Sequence, residues 1–169
     1  MLGQEFFDRD TVEVARSLVG KYLVRRYGGV TLAARITETE CYFGEEDTAC
    51  HAHRGKTPRT EVMYAAGGVA YVYLCYGIHA LLNVVTGPAN HPQAVLIRGV
   101  EGANGPGRVT RALSITLADN RKRLCEGEGI WIEADGTPPP CFECLPRVGI
   151  DYAAVEDRER LWRYRVLSQ

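Results

Sequence analysis

The sequence predicts an α+β fold in which a largely antiparallel, curved sheet is flanked by helices. A chain of 169 residues with 46% hydrophobic composition has enough apolar material for one core, so residues 1–169 are expected to form a single compact domain. Strand-like segments occur early, in the middle and late in the chain, with helical segments between them. These segments lack the regular alternation of strand and helix that builds a parallel sheet.

The first expected elements are a helix and a hairpin. Asp10 is placed to cap the helix, Glu13 is the second half of a capping box, and Gly20 is expected to end the helix. Strands follow over residues 22–26 and 30–42, and the Tyr-Gly-Gly sequence between them predicts a tight turn.

Two carboxylates extend the pattern of the second strand. Apolar side chains alternate along it at Leu32, Ala34 and Ile36. The alternation continues to Glu38 and Glu40, so both are expected to leave the apolar face at the strand's end, where partial desolvation raises a carboxyl pKa. The alternative is that they are solvated acids paired with Arg35 or Arg54.

The middle of the chain begins with a long loop. Residues 43–68 are polar and contain glycine, and long loops of this composition are often functional. Two β-like segments follow over residues 70–76 and 79–86, and Gly77 between them predicts a second hairpin.

The remaining elements are shorter. Residues 94–100 predict a strand, and Pro106 suits the first turn of a helix that carries Arg108 and Arg111. A second short helix is expected over residues 119–124. Three further strands surround a proline-rich loop and are expected over residues 130–133, 146–150 and 162–166.

Composition argues against several classes of protein. The charged fraction of 24% and aromatic fraction of 9% do not fit a disordered, collagen-like or coiled-coil chain. The first ten residues lack the pattern of a secretory signal, and the longest apolar region, residues 69–85, holds too many polar side chains to cross a bilayer. Six cysteines are too few for a disulfide scaffold. We therefore expect a cytoplasmic protein with free thiols and no membrane partner.

Charge is unevenly distributed along the chain. The net charge is −1, but residues 51–125 carry nine basic and three acidic side chains. Arginine outnumbers lysine by 17 to 3, and the planar guanidinium suits phosphate oxygens. A basic middle segment fits a protein that turns one face toward phosphate, although chance clustering explains the same distribution.

The end of the second strand and the following loop hold a dense set of reactive side chains. Glu40 and Tyr42 lie two residues apart, so they share one side of the strand, and the carboxylate can activate water beside a ring that holds a planar substrate. His51 and His53 have no clear third ligand, so no metal site is expected there.

The second hairpin is rich in tyrosine. Tyr71 and Tyr73 are expected on one face, and Tyr76 near the turn is placed to act as a wedge between bases. Beside a basic loop, this cluster indicates stacking on nucleobases. Ordinary packing within a sheet is the alternative, because tyrosine is a common strand residue.

A competing signal lies near the C-terminus. Pro140, Cys141 and Cys144 match the PCxxC half of zinc nucleobase deaminases, in which a metal-bound water attacks the base. The upstream HxE half is missing from the sequence. A zinc deaminase and a non-catalytic DNA-binding module are therefore kept as alternatives.

The order of these motifs resembles that of the alkyladenine (3-methyladenine) DNA glycosylase family of the Aag type. The resemblance covers most of the chain and is most specific in three blocks, TETECY, ACHAHRGKTPRT and YVYLCYGIHALLNVV. It implies a monofunctional glycosylase that flips an alkylated or deaminated purine out of duplex DNA and hydrolyses its N-glycosidic bond, the first step of base excision repair.

The resemblance implies three catalytic residues. Glu40 corresponds to the general base, which deprotonates the water that attacks the sugar. Arg98 is implied to hold that water with its side chain, and Val148 is implied to hold it with its main-chain carbonyl.

Other residues are implied to hold the flipped nucleotide. Tyr42, His51 and Tyr73 correspond to the walls around the base, with the His51 backbone N–H available to its edge. Asn83 corresponds to the residue that disfavours the guanine 2-amino group. Tyr76 is implied to fill the space that the flipped nucleotide leaves in the duplex.

The expected partner is double-stranded DNA that contains a damaged purine. Four basic side chains are expected to contact its phosphates: Arg54, Lys56, Arg59 and Arg108. No lysine lies in the matched catalytic motif, so a Schiff-base lyase step is not expected. No metal or other cofactor is expected, and a monomer fits an enzyme that scans duplexes.

The sequence departs from the family pattern at three places. Cys41 stands where alanine is usual, which is expected to alter packing or to add sensitivity to oxidation. Tyr64 replaces a usual phenylalanine, and the terminal WRYRV differs from the usual WRFY sequence.

Overall fold

The computed structural model describes residues 1–167 and confirms the α+β class. The four α-helices are α1 (Gln4–Phe7), α2 (Thr11–Leu18), α3 (Pro106–Ala112) and α4 (Val155–Glu159). The nine strands are β1 (Tyr22–Tyr27), β2 (Val30–Tyr42), β3 (Ala70–Cys75), β4 (His79–Thr86), β5 (Gln93–Val100), β6 (Ala103–Asn104), β7 (Ile130–Glu133), β8 (Phe142–Leu145) and β9 (Arg163–Val166). Five 3-10 turns lie in the connections, three of them in the predicted loop over residues 43–68.

The strands form one antiparallel, curved sheet. Its main order is β3, β4, β5, β2, β1, β7, and β9 lies beside the C-terminal part of β2. Because β2 is 13 residues long, its first half pairs with β1, while its last residues lie between β5 and β9. The end of β2, where the predicted carboxylates stand, is therefore central in the sheet and covered on both edges.

Local sequence signals explain the first elements. The Asp10 side chain accepts hydrogen bonds from the backbone N–H groups of Val12 and Glu13, which confirms it as the cap of α2. Gly28 and Gly29 both adopt positive φ, at 58° and 78°, as the two central positions of a type I′ hairpin turn require. Both predicted hairpins, β1 with β2 and β3 with β4, are confirmed.

A paired irregularity in β2 and β5 corrects the predicted alternation. The register shifts on both sides of Glu38. Ile36 before the irregularity and Cys41 after it both pack in the main core, although they differ in parity. The sequence pattern predicted that the glutamates continue the face of Ile36, and this prediction is wrong. They point to the opposite side of the sheet, because a bulge re-aims the side chains that follow it.

Two predicted elements are wrong. Residues 146–150 form no strand, and the strand of this region is β8, directly before them. Residues 119–124 form no helix, since the single 3-10 turn of Leu117–Asp119 ends there and Arg121 takes a left-handed φ of 72°. The Asp119 side chain is instead fully buried in salt bridges with Arg25 and Lys122.

The two faces of the sheet have different neighbours. Helices α2 and α3 pack on one face and form the main core with it. A smaller apolar cluster of the loop over residues 43–68 packs on the other face, against Tyr71, Val85 and Ala94. The opening left between this loop and the segment after β8 is the cavity described next.

None of the helices within residues 1–167 has the length and apolarity needed to span a membrane.

Candidate active site

A cavity of about 450 Å³ opens on the face of the sheet opposite α2. The base-pocket and wedge residues predicted from the sequence all line it, as do two of the three predicted catalytic residues. These residues are Tyr42, His51, Tyr73, Tyr76, Asn83, Arg98 and Val148. The volume lies in the usual range for small-molecule pockets.

Glu40 lies directly behind this lining. It has no exposed surface, but three residues that contact it line the cavity. The Val148 N–H donates to Oε1 at 2.9 Å, and the Tyr42 hydroxyl donates to Oε2 at 3.0 Å. Arg98 Nε lies 3.6 Å from Oε1. The carboxylate is thus fixed in one orientation by contacts with each of its oxygens.

Burial shifts the pKa of Glu40 in one direction, and the side chains and N–H group that contact Glu40 shift it in the other. Burial, the largest effect, raises the pKa of this carboxyl, whereas Arg98, the Val148 N–H, Tyr42 and Arg163 lower it. The net direction is upward. A buried carboxylate with a raised pKa is a stronger proton acceptor than a solvated one, as a general base requires.

Glu38 forms part of the same charge network. Its Oε1 lies 2.8 Å from an Arg163 guanidinium nitrogen and 3.4 Å from Arg98 Nε. Glu38 and Glu40 are only 4% and 0% exposed, so the alternative of solvated acids paired with Arg35 or Arg54 is wrong. The physical reason is that β5 and β9 cover both edges of β2 and supply these arginines.

Aromatic side chains form much of the wall of the cavity. The His51 and Tyr73 ring centroids lie 4.7 Å apart with an edge-to-face geometry. Tyr71 and Tyr73 share one face of β3, as predicted, with centroids 5.3 Å apart. His51 Nδ1 lies 3.0 Å from the Tyr71 hydroxyl, which fixes the orientation of the imidazole. Tyr42 lines the cavity from the end of β2.

His51 is held in its neutral form near pH 7. Burial, followed by the positive charge of Arg59, lowers the pKa of this imidazole to about 4. A neutral imidazole adds no charge to the cavity wall. His51 therefore presents an uncharged ring to the cavity.

Asn83 lines the cavity from β4 and Val148 lines it from the segment after β8. Asn83 is 4% exposed and its Nδ2 donates to the Tyr71 carbonyl at 3.2 Å, across the β3 and β4 ladder. Val148 is 45% exposed, and its backbone N–H reaches Glu40. The predicted role of the Val148 carbonyl stays a prediction.

Tyr76 is the most exposed large hydrophobic residue of the described chain, with 91% of its surface accessible. It stands at the tip of the hairpin of β3 and β4 with a φ of 51°, a left-handed conformation that is uncommon for a residue other than glycine. An aromatic ring held out beside a cavity by a strained turn is the geometry expected of a wedge.

The four predicted phosphate contacts separate into two groups. All four are exposed, but Arg54, Lys56 and Arg108 do not line the cavity. Arg59 does line it, with its guanidinium carbon 5.0 Å from the centre of the Tyr73 ring. The sequence placed Arg59 with the phosphate contacts, but gave no indication of this contact with a pocket wall.

Sequence reasoning missed a buried salt bridge that supports the site. Arg147 and Asp47 are 0% and 1% exposed at their side chains, and Arg147 Nη2 donates to Asp47 Oδ1 at 2.9 Å. The guanidinium carbon also lies 4.8 Å from the Tyr42 ring centre and 5.1 Å from that of Trp162. Because Arg147 directly precedes Val148, this pair anchors the segment that contacts Glu40.

The terminal cysteine pair has a different setting. Cys141 lies just before β8 and Cys144 on it, and residues three apart along a strand direct their side chains to opposite faces. Within residues 1–167, no cluster of three or more His, Cys, Asp or Glu side chains is arranged to hold a metal ion. The geometry therefore does not favour the zinc deaminase alternative.

The structure shows the environment of each residue that departs from the family pattern. Cys41 is fully buried, and burial raises the pKa of its thiol to about 12, which disfavours the reactive thiolate. The Tyr64 hydroxyl, absent from phenylalanine, donates to Glu45. The terminal Arg163 joins the charge network of Glu38, and Tyr164 packs in the main core. All six cysteines are free thiols, as expected.

The chain is similar to known proteins over nearly its whole length. The sequence model of the family described as Methylpurine-DNA glycosylase (MPG) matches residues 5–103 and 101–169. Relatives named "Putative 3-methyladenine DNA glycosylase" include one from Methanocella arvoryzae, 43% identical over 97% of this chain and 91% of the relative. One from Myxococcus xanthus is 45% identical over 95% of this chain and 89% of the relative.

Both comparisons cover nearly the whole chain, and both include the cavity and the strands that build it. The chain therefore belongs to the methylpurine-DNA glycosylase family, and it is a DNA glycosylase, a hydrolase that acts on N-glycosyl bonds.

Proposed function

We propose that residues 1–169 form one glycosylase domain that excises alkylated and deaminated purines, 3-methyladenine among them, from duplex DNA by flipping the base and hydrolysing its N-glycosidic bond. The observation that carries the proposal is the position of Glu40, a buried, oriented carboxylate directly behind an aromatic cavity. The test is single-turnover release of free base from duplexes that contain one hypoxanthine or one ethenoadenine. A protein that binds these duplexes without releasing base would be the non-catalytic module instead.

Extrusion of the nucleotide is the first step that the site must support. The glycosidic bond of a stacked base is hidden, and unstacking costs a few kcal/mol. Tyr42, His51 and Tyr73 offset this cost by stacking on the flipped base, and Tyr76 occupies the vacated space. A damaged base that pairs or stacks poorly is extruded at a lower cost than an intact one.

Hydrolysis is the second step. Glu40 takes a proton from the attacking water, and its negative charge stabilises the positive charge that develops on the sugar. Arg98, beside Oε1, orients the water together with the Val148 main chain. Because no lysine among residues 1–167 lines the cavity, the proposed reaction is a simple hydrolysis without cleavage of the DNA strand.

DNA binding is proposed to depend on the exposed basic side chains around the cavity. Arg54, Lys56 and Arg108 contact phosphates, while Arg59, the fourth predicted contact, is engaged with Tyr73 at the cavity. We propose that a monomer carries out this reaction in the cytoplasm, where it has access to DNA. No metal or other cofactor takes part in the proposed steps.

Replacing Tyr76 with alanine is expected to slow base release from paired lesions at least about tenfold more than release from single strands. A wedge is needed only where a base must be held out of a duplex. The measurement compares single-turnover rates on a hypoxanthine duplex and on the same strand alone. Equal losses on both substrates would exclude the wedge role. Tyr27→Ala, at the exposed tip of the other hairpin, is the matched control and should affect neither rate.

Affinity for undamaged duplex DNA is expected to fall steeply with salt. Three phosphate contacts predict that log K falls with log salt concentration with a slope of about −3. Fluorescence anisotropy with a labelled duplex measures this slope, and Arg54→Gln should reduce its magnitude by about 1. A flat salt response would contradict the proposed phosphate contacts.

A further inference from the structure

Arg59 brings a positive charge to the wall of the cavity. Its guanidinium carbon lies 5.0 Å from the centre of the Tyr73 ring, within the distance at which a cation interacts with an aromatic face. The residue also lines the cavity itself. A base stacked beside Tyr73 would therefore lie close to this charge.

The charge of Arg59 is not compensated by a neighbouring acid. Arg98 is paired with Glu38 and Glu40, and Arg147 is paired with Asp47. For Arg59, no carboxylate oxygen lies within 4.0 Å among residues 1–167. Arg59 thus brings to the cavity wall a guanidinium that no carboxylate of the described chain neutralises, and its field acts on whatever occupies the pocket.

The influence of this charge on the pocket is visible at His51. Arg59 is the second cause, after burial, of the lowering of the His51 pKa to about 4. A cation that disfavours protonation of the wall also disfavours a cationic base beside that wall, since both are repelled by the same charge.

The aromatic walls are already engaged by cations. Arg59 lies over Tyr73, and Arg147 lies 4.8 Å from the centre of the Tyr42 ring. Attraction between a cation and an aromatic face increases when the pair is desolvated. A ring that already interacts with one guanidinium has less to offer a second cation, so a positively charged base gains less from these walls.

We propose that Arg59 is a specificity-determining residue that shifts the pocket toward electrically neutral damaged purines and away from cationic alkylated purines. Hypoxanthine and ethenoadenine are neutral as nucleotides, whereas 7-methylguanine and 3-methyladenine carry a positive charge. The inference rests on the proposed function and concerns the relative rates on these two classes of lesion. It does not require that either class be excluded.

The experiment measures single-turnover release of 7-methylguanine and of hypoxanthine from otherwise identical duplexes. Arg59→Gln is expected to raise the ratio of the 7-methylguanine rate to the hypoxanthine rate by about tenfold, a moderate effect because solvent screens an exposed charge. Arg59→Lys keeps the charge and should leave the ratio near that of the wild type. An unchanged ratio in Arg59→Gln, or the same increase in Arg59→Lys, would overturn the inference.

Arg54→Gln is the matched control, because Arg54 belongs to the same loop but does not line the cavity. Loss of a phosphate contact should slow both lesions alike and leave the ratio unchanged. If Arg59→Gln also slows both lesions alike, Arg59 is a phosphate contact only. Absence of base release from every lesion in the wild type would refute the proposed function itself, an outcome distinct from release with an unaltered ratio.

Discussion

Replacing Glu40 with glutamine is expected to lower the single-turnover rate of base release by at least about 10³-fold, the combined effect of losing a general base and a stabilising charge. Glutamine keeps the shape of the side chain and can still accept the Val148 N–H bond of 2.9 Å. The fold and the affinity for lesion-containing DNA should therefore be retained. The measurement is single-turnover release of hypoxanthine, together with binding of the same duplex.

The pH dependence gives the prediction a second readout. Only the ionised form of Glu40 can accept a proton, and burial raises the pKa of this carboxyl. The wild-type rate should therefore fall as pH decreases through that raised pKa. In Glu40→Gln this acid limb should disappear. A variant that keeps both the rate and the acid limb would remove Glu40 from the mechanism.

Glu38 provides the matched control. It is 4% exposed, lies on the same face of β2 and contacts Arg98 and Arg163, but no hydrogen bond joins it to Tyr42 or Val148 within the described chain. Glu38→Gln disturbs the same arginines without removing the proposed base. Its loss of rate is expected to be no more than about 10²-fold, so that the difference between the two variants measures the contribution of position 40.

The main elements of the fold could be predicted because local signals determine them. The cap at Asp10, the glycines at positions 28 and 29, and the apolar periodicity act over a few residues. The helix expected over residues 119–124 does not form, because the Asp119 carboxylate is buried against Arg25 of β1 and Arg121 takes a left-handed φ of 72°. The segment 146–150 forms no strand because its contacts lie off the sheet ladder: Arg147 is held by Asp47, the Val148 N–H donates to the Glu40 side chain, and Gly149 takes a positive φ of 74°.

The location of the site could be predicted only in part. The residues of the tyrosine hairpin and the TETECY block were predicted to lie together, and they do surround one cavity. The side of the sheet to which Glu40 points could not be derived from the alternation of apolar residues in the sequence. The irregularity of β2 that decides it depends on the pairing of β2 with β5. The ion-pair partners of the two glutamates could not be predicted either. Arg163 lies more than 120 residues away in sequence and reaches them only because β9 pairs with β2.

The salt bridge between Arg147 and Asp47 is expected to contribute the largest single effect on stability. Arg147→Met leaves the Asp47 carboxylate buried without its cation, and removal of one partner from a buried ion pair costs about 3–5 kcal/mol of unfolding free energy. The same change removes donors from the carbonyls of Cys41 and Asp157. Urea denaturation followed by tryptophan fluorescence measures the loss, with Trp162 in contact with the replaced side chain.

Two further variants decide whether the unpaired charge causes that loss. Asp47→Asn combined with Arg147→Met removes both charges, so the double variant should be destabilised by clearly less than the sum of the single changes. Arg165→Met breaks the exposed pair with Glu143 and should leave the urea midpoint unchanged. If Arg147→Met unfolds at the same urea concentration as Arg165→Met, the buried pair does not anchor the segment that carries Val148. The hydrogen bond from the Val148 N–H to Glu40 would then form without support from this ion pair.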